Sequence, residues 1–187
     1  VGRIRIAAGT ADDVVAGRSY ELTDLSGAVD VDRGAFSYDV AAQFMGIPLG
    51  VRGEKTSDVQ DVQLAADDAD LTPLLALLPE GTLPERVQIR ALHADRVRAG
   101  LRLVDGVRTM EGRIEGVRAD ADLYGTQTTL TSAALRFDER ALFVAATATA
   151  AEQTARVDGT VRLDTDAPYL DLRVRAEHFA PAAVYAE

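Results

Sequence analysis

Residues 155–181 read ARVDGTVRLDTDAPYLDLRVRAEHFAP and contain two amphipathic segments, the turn between them and a proline-marked stop. In both segments apolar or small residues alternate with polar ones, which is the two-residue period of a half-buried strand. The predicted turn is Thr165-Asp166-Ala167-Pro168, because Asp tolerates turn conformations and Pro cannot donate to a strand ladder. The stretch therefore predicts a hairpin with one apolar face and one charged face. Its apolar positions are Val157, Gly159, Val161, Leu163, Leu170, Leu172, Val174 and Ala176.

Similar alternation recurs along most of the chain, from residues 1–7 and 20–31 to the segments that follow Val87. Residues 8–19 are instead polar and small, and we expect a loop or one short helical turn there. Turn signals separate the strands, and Asp105-Gly106 matches the dipeptide typical of tight hairpins. The sequence predicts an all-β fold of about a dozen strands, arranged as an antiparallel meander, sandwich or barrel. We expect residues 1–187 to form a single elongated β domain.

One segment near residues 72–78 has a different period. Thr72 is the predicted N-cap and Pro73 the first helical residue, while Pro79 and Gly81 end the helix. Four leucines fall on one face of it: Leu71, Leu74, Leu75 and Leu78. The simpler interpretation is a helix that plugs the end or flank of a sheet, and the alternative is a mobile lid over a groove.

Composition excludes several functional classes. The chain has 187 residues and is 47% apolar, enough for a core. With 20 basic and 30 acidic residues its net charge is −10, which argues against nucleic acid and against electrostatic docking on anionic lipid headgroups. The absence of cysteine excludes disulfides, thiol catalysis and zinc–thiolate sites. All basic residues but Lys55 are Arg, which indicates a GC-rich coding sequence.

No motif for catalysis or for a cofactor emerges. The two histidines, His93 and His178, are expected at surface or boundary positions, so a nucleophilic hydrolase would lack its base. The acidic run at residues 67–70 lacks the Gly and the distal Glu of a calcium loop and is interpreted as a solvated turn. Trp is absent and aromatics are 5%, which weakens a sugar-binding interpretation. We therefore predict a protein that is not an enzyme and holds no metal or cofactor.

Two kinds of internal repetition are present. An apolar-any-Gly-any-β-branched motif opens strands at residues 25–29, 110–114 and 157–161. In addition, Leu71-Thr72-Pro73 recurs 108 residues later as Phe179-Ala180-Pro181, which predicts a repeat boundary near residues 177–181. A chain that starts without Met and stops inside such a pattern is expected to be a fragment of a larger repeat-containing protein.

These glycine-centred strand starts, together with residues 64–79 and 174–184, resemble the AsmA-like and TamB family of bacterial envelope proteins. The family is related in architecture to bridge-like lipid-transfer proteins, and the resemblance extends from about residue 20 onward. It implies that the antiparallel meander is a long sheet folded over into an elongated amphipathic groove, a "taco", with aliphatic side chains on its concave face, where the pattern alone would also allow an open sandwich. It also implies a periplasmic location in a diderm bacterium, with an inner-membrane anchor in a segment outside this chain.

The resemblance implies a conduit in which phospholipid acyl chains lie in a hydrophobic groove between the inner and outer membranes. The alternation alone is equally compatible with a β-sandwich whose apolar faces meet. A second functional hypothesis is a structural or protein-binding module that contacts an outer-membrane assembly protein by strand addition. The residues predicted to line the groove are Val29, Val31, Phe36, Tyr38, Leu49, Val51, Val62, Leu64, Leu101, Leu103, Ile114, Leu123, Leu130, Leu135, Phe137, Leu142, Val144, Val161, Leu163, Leu170, Leu172 and Val174.

Overall fold

A computed structural model of the chain describes residues 2–15, 18–78, 83–150, 153–162 and 169–176, with the side chains of residues 11–20 and 170 outside this description. Nearly all of these residues are in strands, so the predicted all-β class is confirmed. The strands are β1 (Gly2–Ile6), β2 (Ala11–Val15), β3 (Arg18–Asp32), β4 (Ala35–Phe44), β5 (Ile47–Lys55), β6 (Val59–Asp70), β7 (Val87–Val104), β8 (Val107–Leu123), β9 (Thr126–Asp138), β10 (Ala141–Ala150), β11 (Gln153–Arg162) and β12 (Tyr169–Ala176).

The strands form one open antiparallel sheet. From β3 onward each strand pairs with the next along the chain, in the order β1-β3-β4 and so on to β12, and β2 pairs separately with β3. Such a meander needs only short connections, which agrees with the closely spaced turn signals of the sequence. The end strands β1 and β12 do not pair with each other, so the sheet is not closed. By residue contacts the chain divides into two compact units, and each is described separately below.

Unit 1 comprises Val1–Ala69 with Val97–Gly112, and unit 2 comprises Asp70–Arg96 with Arg113–Glu187. The predicted hairpin lies in unit 2, where β11 pairs with β12. Its register places Val157 opposite Val174 and Gly159 opposite Leu172, so apolar positions face one another as the alternation predicts. The turn predicted at residues 165–168 and the stop at Pro181 lie outside the described residues.

Four of the turns are two-residue loops that end in glycine. They are Arg33-Gly34, Met45-Gly46, Asp105-Gly106 and Tyr124-Gly125, and φ is positive at both residues of each. Positive φ at both central positions is the conformation whose twist matches the flanking strands. Only Asp105-Gly106 matches the dipeptide typical of such hairpins, since Arg, Met and Tyr are unusual at the first position.

The prediction for residues 8–19 is wrong. Ala11–Val15 forms β2, which pairs with residues 18–22 of β3, where we expected a loop or a helical turn. A five-residue edge strand gains its stability from backbone pairing with a longer neighbour, and Asp12 and Asp13 obscure the strand signal because Asp is depleted in strands. Several short predicted strands after Val87 are likewise parts of longer ones, since β7 runs for 18 residues and β8 for 17.

Bulges explain why the apolar alternation changes phase within single strands. Asp24, Asp68 and Gly116 lie inside β3, β6 and β8 and have φ values of 52°, 52° and 63°. A bulge adds one residue to a strand, so the side chains after it change face. In β8 the apolar positions are even-numbered from Met110 to Ile114 and odd-numbered from Val117 to Leu123. The sequence changes its phase where the backbone does, which keeps the apolar residues on one face.

The segment predicted as a helix is a 3₁₀ helix at Thr72–Leu77. The prediction of Thr72 as its N-cap is wrong, because the N-cap is Leu71 and no side chain caps the helix. The Thr72 hydroxyl instead accepts a hydrogen bond from the Leu92 amide of β7 (2.9 Å), while the Thr72 amide donates to Asp70 Oδ1 (2.9 Å). Thr72 therefore attaches the helix to the sheet. Pro79 and Gly81, the predicted end of the helix, lie outside the described residues.

These contacts predict a measurable change at Asp70. Hydrogen bonds from Thr72, and then the charge of His93, hold the pKa of Asp70 below its usual 3.8. A carboxyl group whose pKa is lowered by folding stabilises the fold above its unfolded pKa, and this contribution is lost as the pH falls through the folded pKa. Thr72→Val should raise the pKa of Asp70 toward 3.8, as followed by NMR of its carboxyl carbon. It should also lower the free energy of unfolding by about 1 kcal/mol, because the Leu92 amide loses its acceptor.

Thr109→Val is the matched control, since the Thr109 hydroxyl is exposed and makes only a 3.4 Å contact with the Arg102 carbonyl. We expect it to change stability by less than about 0.5 kcal/mol and to leave the Asp70 titration unaltered. The Thr72 amide still donates to Asp70 in Thr72→Val, so an unchanged Asp70 titration would contradict a contribution from the Thr72 hydroxyl to the low pKa of Asp70.

Candidate functional site

In unit 1 one face of the sheet is apolar across five adjacent strands. Cross-strand partners point to the same side of a sheet, so the register identifies this face directly. One row across it is Ile6, Gly27, Val40, Val51 and Leu64, and a second is Ile4, Val29, Tyr38, Gly53 and Val62. We call this side of unit 1 the apolar face of unit 1.

Glycine lets the backbone and an aromatic ring approach closely on this face. The Tyr38 ring lies over Gly53, where an added Cβ would meet Tyr38 Cζ at 2.5 Å. Burial, and then the charge of Asp61, raise the pKa of Tyr38 above its usual 10.0, so its hydroxyl is uncharged at neutral pH. The Phe36 ring lies 6.3 Å from that of Tyr38. Two aromatic side chains thus extend the uncharged surface toward the start of β4, next to the Arg33-Gly34 turn.

Unit 2 carries a corresponding apolar face on β9 to β12. Its rows include Phe137, Leu142 and Val161, then Leu135, Val144, Gly159 and Leu172, and then Ala133, Ala146, Val157 and Val174. A register shift between Thr147 and Ala148 brings Leu130 opposite Ala148. Leu130 and Leu135 therefore share a face although their numbers differ by five, which strict alternation alone would not permit.

The predicted lining residues all remain in contact with solvent where their side chains are described. None is buried, and Val31, Phe36, Leu64, Leu103, Leu172 and Val174 are among the most exposed large apolar residues of the chain. Leu64 is 40% exposed and Val174 is 66% exposed. Leu163 and the side chain of Leu170 lie outside the described residues. A core strand of an ordinary domain would bury such positions, so these faces are available for an apolar partner.

The buried residues are a different and smaller set. Six of the ten are alanines, among them Ala69 and Ala94, and the others are Val40, Ile47, Leu71 and Val117. Sequence reasoning placed Leu71 on the apolar face of the helix but did not identify the alanines as core residues, because alanine contributes little to a hydrophobic pattern. It also missed Ile4 and Ile6 as members of the apolar face of unit 1, although their alternation with Arg3 and Arg5 is visible.

The opposite face of the sheet is charged. In unit 1 Arg52 Nε lies 3.0 Å from Asp39 Oδ2, and Arg98 Nη2 lies 2.7 Å from Asp67 Oδ1. In unit 2 the corresponding pairs are Arg90 with Asp122, Arg96 with Glu115 and Arg118 with Asp95. Exposed pairs of this kind contribute little to stability, about 0–1 kcal/mol each. Their significance is that they keep this face hydrated while the other face is apolar.

The candidate polar sites of the sequence lie within strands. His93 is part of β7 with a half-buried side chain, and its Nε2 lies 3.9 Å from Asp95 Oδ1. Residues 67–70 are not a solvated turn, because they belong to β6 and include the bulge at Asp68. His178 lies outside the described residues. Within the described part of the chain no cluster of three His, Asp or Glu side chains is arranged to hold a metal ion.

Comparisons with known proteins add no assignment. In the described part of the chain no helix is both long and apolar enough to cross a membrane. The three comparisons found no matching family model, no matching curated protein and no matching solved structure.

Proposed function

We propose that the chain is a segment of a lipid conduit, in which phospholipid acyl chains lie against the apolar faces of the two units. The observation that carries the proposal is that no described residue predicted to line these faces is buried, and that several of them, including Leu64, Leu172 and Val174, are exposed in an open sheet. An unpartnered apolar face is costly in water, so it indicates a ligand or partner that covers it. The resemblance to the AsmA-like and TamB family supports a periplasmic conduit between two membranes.

The physical chemistry of acyl chains fits such a surface. A sixteen-carbon tail exposes about fifteen methylenes in water, at ~0.8 kcal/mol each, or about 12 kcal/mol per tail. A continuous aliphatic surface removes much of this penalty without any specific polar site. The charged opposite face, with pairs such as Arg52 and Asp39, would keep the conduit itself in solution.

Adjacent residues of β6 provide a matched test. Leu64 lies on the apolar face and Gln63 on the charged face, where it is opposite Arg52. We expect Leu64→Asp to reduce crosslinking to a photoreactive phospholipid about tenfold, because it places a carboxylate against the acyl chain. Gln63→Asp adds the same charge on the other face and should crosslink like the unaltered protein.

Leu135→Asp and Ala134→Asp form the same comparison on β9 in unit 2. Circular dichroism of each variant checks that the sheet is retained. The conduit would be refuted if the two members of a pair crosslinked equally. It would also be refuted if no phospholipid were found with the purified protein and none crosslinked to it.

A second candidate function is protein binding by strand addition, with an outer-membrane assembly protein as the partner. The observation that favours it is that β12 has only β11 as a neighbour among the described strands. An unpaired strand edge offers backbone donors and acceptors to an added strand. A specific partner recovered by pull-down with unchanged yield in Leu64→Asp and Leu135→Asp would favour this function over lipid binding.

A further inference from the structure

Lys55 lies on the apolar face of unit 1 and not on the charged face. The register pairs Lys55 with Phe36 on one side and Gln60 on the other. It is the last residue of β5, and the alternate positions before it include Val51 and Gly53, which belong to the apolar rows. The pattern would place an apolar side chain at this position, so a cation there is an exception.

Arg108 lies on the same face by an independent argument. The Arg98 guanidinium reaches Asp67, so even-numbered residues of this part of β7 point to the charged face, and Leu101 and Leu103 point to the apolar face. The two-residue turn Asp105-Gly106 makes Arg108 the cross-strand neighbour of Leu103. The Thr109 hydroxyl contact with the Arg102 carbonyl agrees with this register.

Both cations stand at one end of the unit. Lys55 directly precedes the β5–β6 turn, and Arg108 closely follows the β7–β8 turn. These turns are joined by a hydrogen bond from the Asp105 amide to the Asp58 carbonyl (3.2 Å). On β4 to β6 and residues 97–112, Lys55 and Arg108 are the only charged residues at described positions of the apolar face, and neither has a described carboxylate within 4.0 Å.

We infer that Lys55 and Arg108 form a cationic rim that contacts the phosphate of anionic phospholipids, with their acyl chains on the adjacent apolar face. The inference rests on the proposed lipid function and adds a preference among lipid classes to it. Three strand spacings separate β5 from β8, about 14 Å, so each cation meets a different headgroup. Gln60, beside Lys55, supplies an uncharged amide donor.

The net charge of −10 opposes this preference only weakly at close range. At physiological ionic strength, charges beyond about 8 Å are largely screened, so a headgroup at the rim responds mainly to the nearest side chains. The composition argues against adsorption of the whole protein to an anionic membrane surface. It does not argue against one phosphate beside one cation.

The test measures binding of fluorescent phosphatidylglycerol and phosphatidylcholine with identical acyl chains to the 187-residue chain in 0.15 M salt. We expect the unaltered protein to prefer the anionic lipid, and Lys55→Gln and Arg108→Gln each to weaken its binding about fivefold. Phosphatidylcholine binding should not change. The double variant Arg52→Gln with Arg102→Gln removes two positive charges from the other face, one more than either single variant, and should keep the preference. Thermal unfolding of all variants checks that they fold.

Equal affinity for the two lipids in the unaltered protein would overturn the inference and leave the conduit standing. An equal loss in the Arg52→Gln, Arg102→Gln control would also overturn it, since bulk charge would then explain the preference. Binding of neither lipid would refute the conduit and this inference together. Glycerophosphoglycerol, the headgroup without acyl chains, should not compete at millimolar concentration. Full competition by it would show that the two cations bind a simple phosphate ester and not an amphiphile.

Discussion

Gly27→Ala is expected to lower the free energy of unfolding by about 3 kcal/mol, because the backbone of β4 occupies the space that a side chain would need. A Cβ at Gly27 would lie 2.8 Å from Val40 Cα and closer still to the Asp39 carbonyl oxygen. Neither atom can move without displacing the β3–β4 ladder. Urea unfolding followed by circular dichroism measures the change.

Gly100→Ala is the matched control in the same unit. Gly100 also lies inside a long strand, but a Cβ there would meet no heavy atom within 4 Å. We expect this substitution to be neutral or slightly stabilising, since alanine restricts the unfolded chain. Similar unfolding midpoints for the two variants would contradict a close approach at Gly27.

Gly159 provides a second site for the same test in unit 2. A Cβ there would lie 2.8 Å from Leu172 Cα and even closer to the Asp171 carbonyl oxygen. Gly27 and Gly159 both occupy the central position of the apolar-any-Gly-any-β-branched motif, which lies inside β3, β8 and β11 and does not open these strands as predicted. Close backbone approach is therefore the physical reason for glycine at two of the three occurrences of the motif.

Gly116→Val is expected to lower the free energy of unfolding by about 4 kcal/mol, as measured by urea unfolding. Gly116 has φ of 63°, a conformation that β-branched residues adopt only with strain. An added Cβ would also collide with the Asp95 carboxylate, which pairs with Arg118. The substitution therefore opposes the bulge of β8 in two ways.

The consequence extends beyond Gly116 because the bulge sets the phase of the rest of β8. Without it, Val117 and Leu123 would turn to the charged face, and Arg118 would turn to the apolar face. Hydrogen exchange should accordingly quicken along residues 117–123. Gly100→Val is the control, with no contact within 4 Å, and a loss as large as that of Gly116→Val would show that the bulge is not the cause.

The sequence by itself was sufficient for the class of fold and for the pairing of its clearest strands. The alternation in residues 157–176 predicts the β11–β12 hairpin and the face that its apolar residues share, because a two-residue period has one structural meaning in a strand. Short turns between successive strands predict an antiparallel meander. The weak points were Ala11–Val15, where pairing outweighs local composition, and Thr72, whose hydroxyl bonds to a distant backbone amide.

The candidate site was only partly predictable. Alternation identified most residues of the apolar faces, yet it is the same for a surface that is covered and one that is open. It also could not assign Leu130 and Leu135 to one face, because the register shift in the β9–β10 pair is a property of two strands together. Lys55 was noted in the sequence only as the exception to an arginine bias, and Arg108 was not singled out, since the face of each depends on the strand register.

The sequence by itself thus determined how apolar and polar residues alternate and where the hairpins turn, because these properties depend on neighbours along the chain. Only the tertiary structure decided the long-range properties. These are the bulges that keep one face apolar, the sheet that stays open, and the two cations at its rim. Each depends on how one strand pairs with another, which the pattern within a single strand does not record.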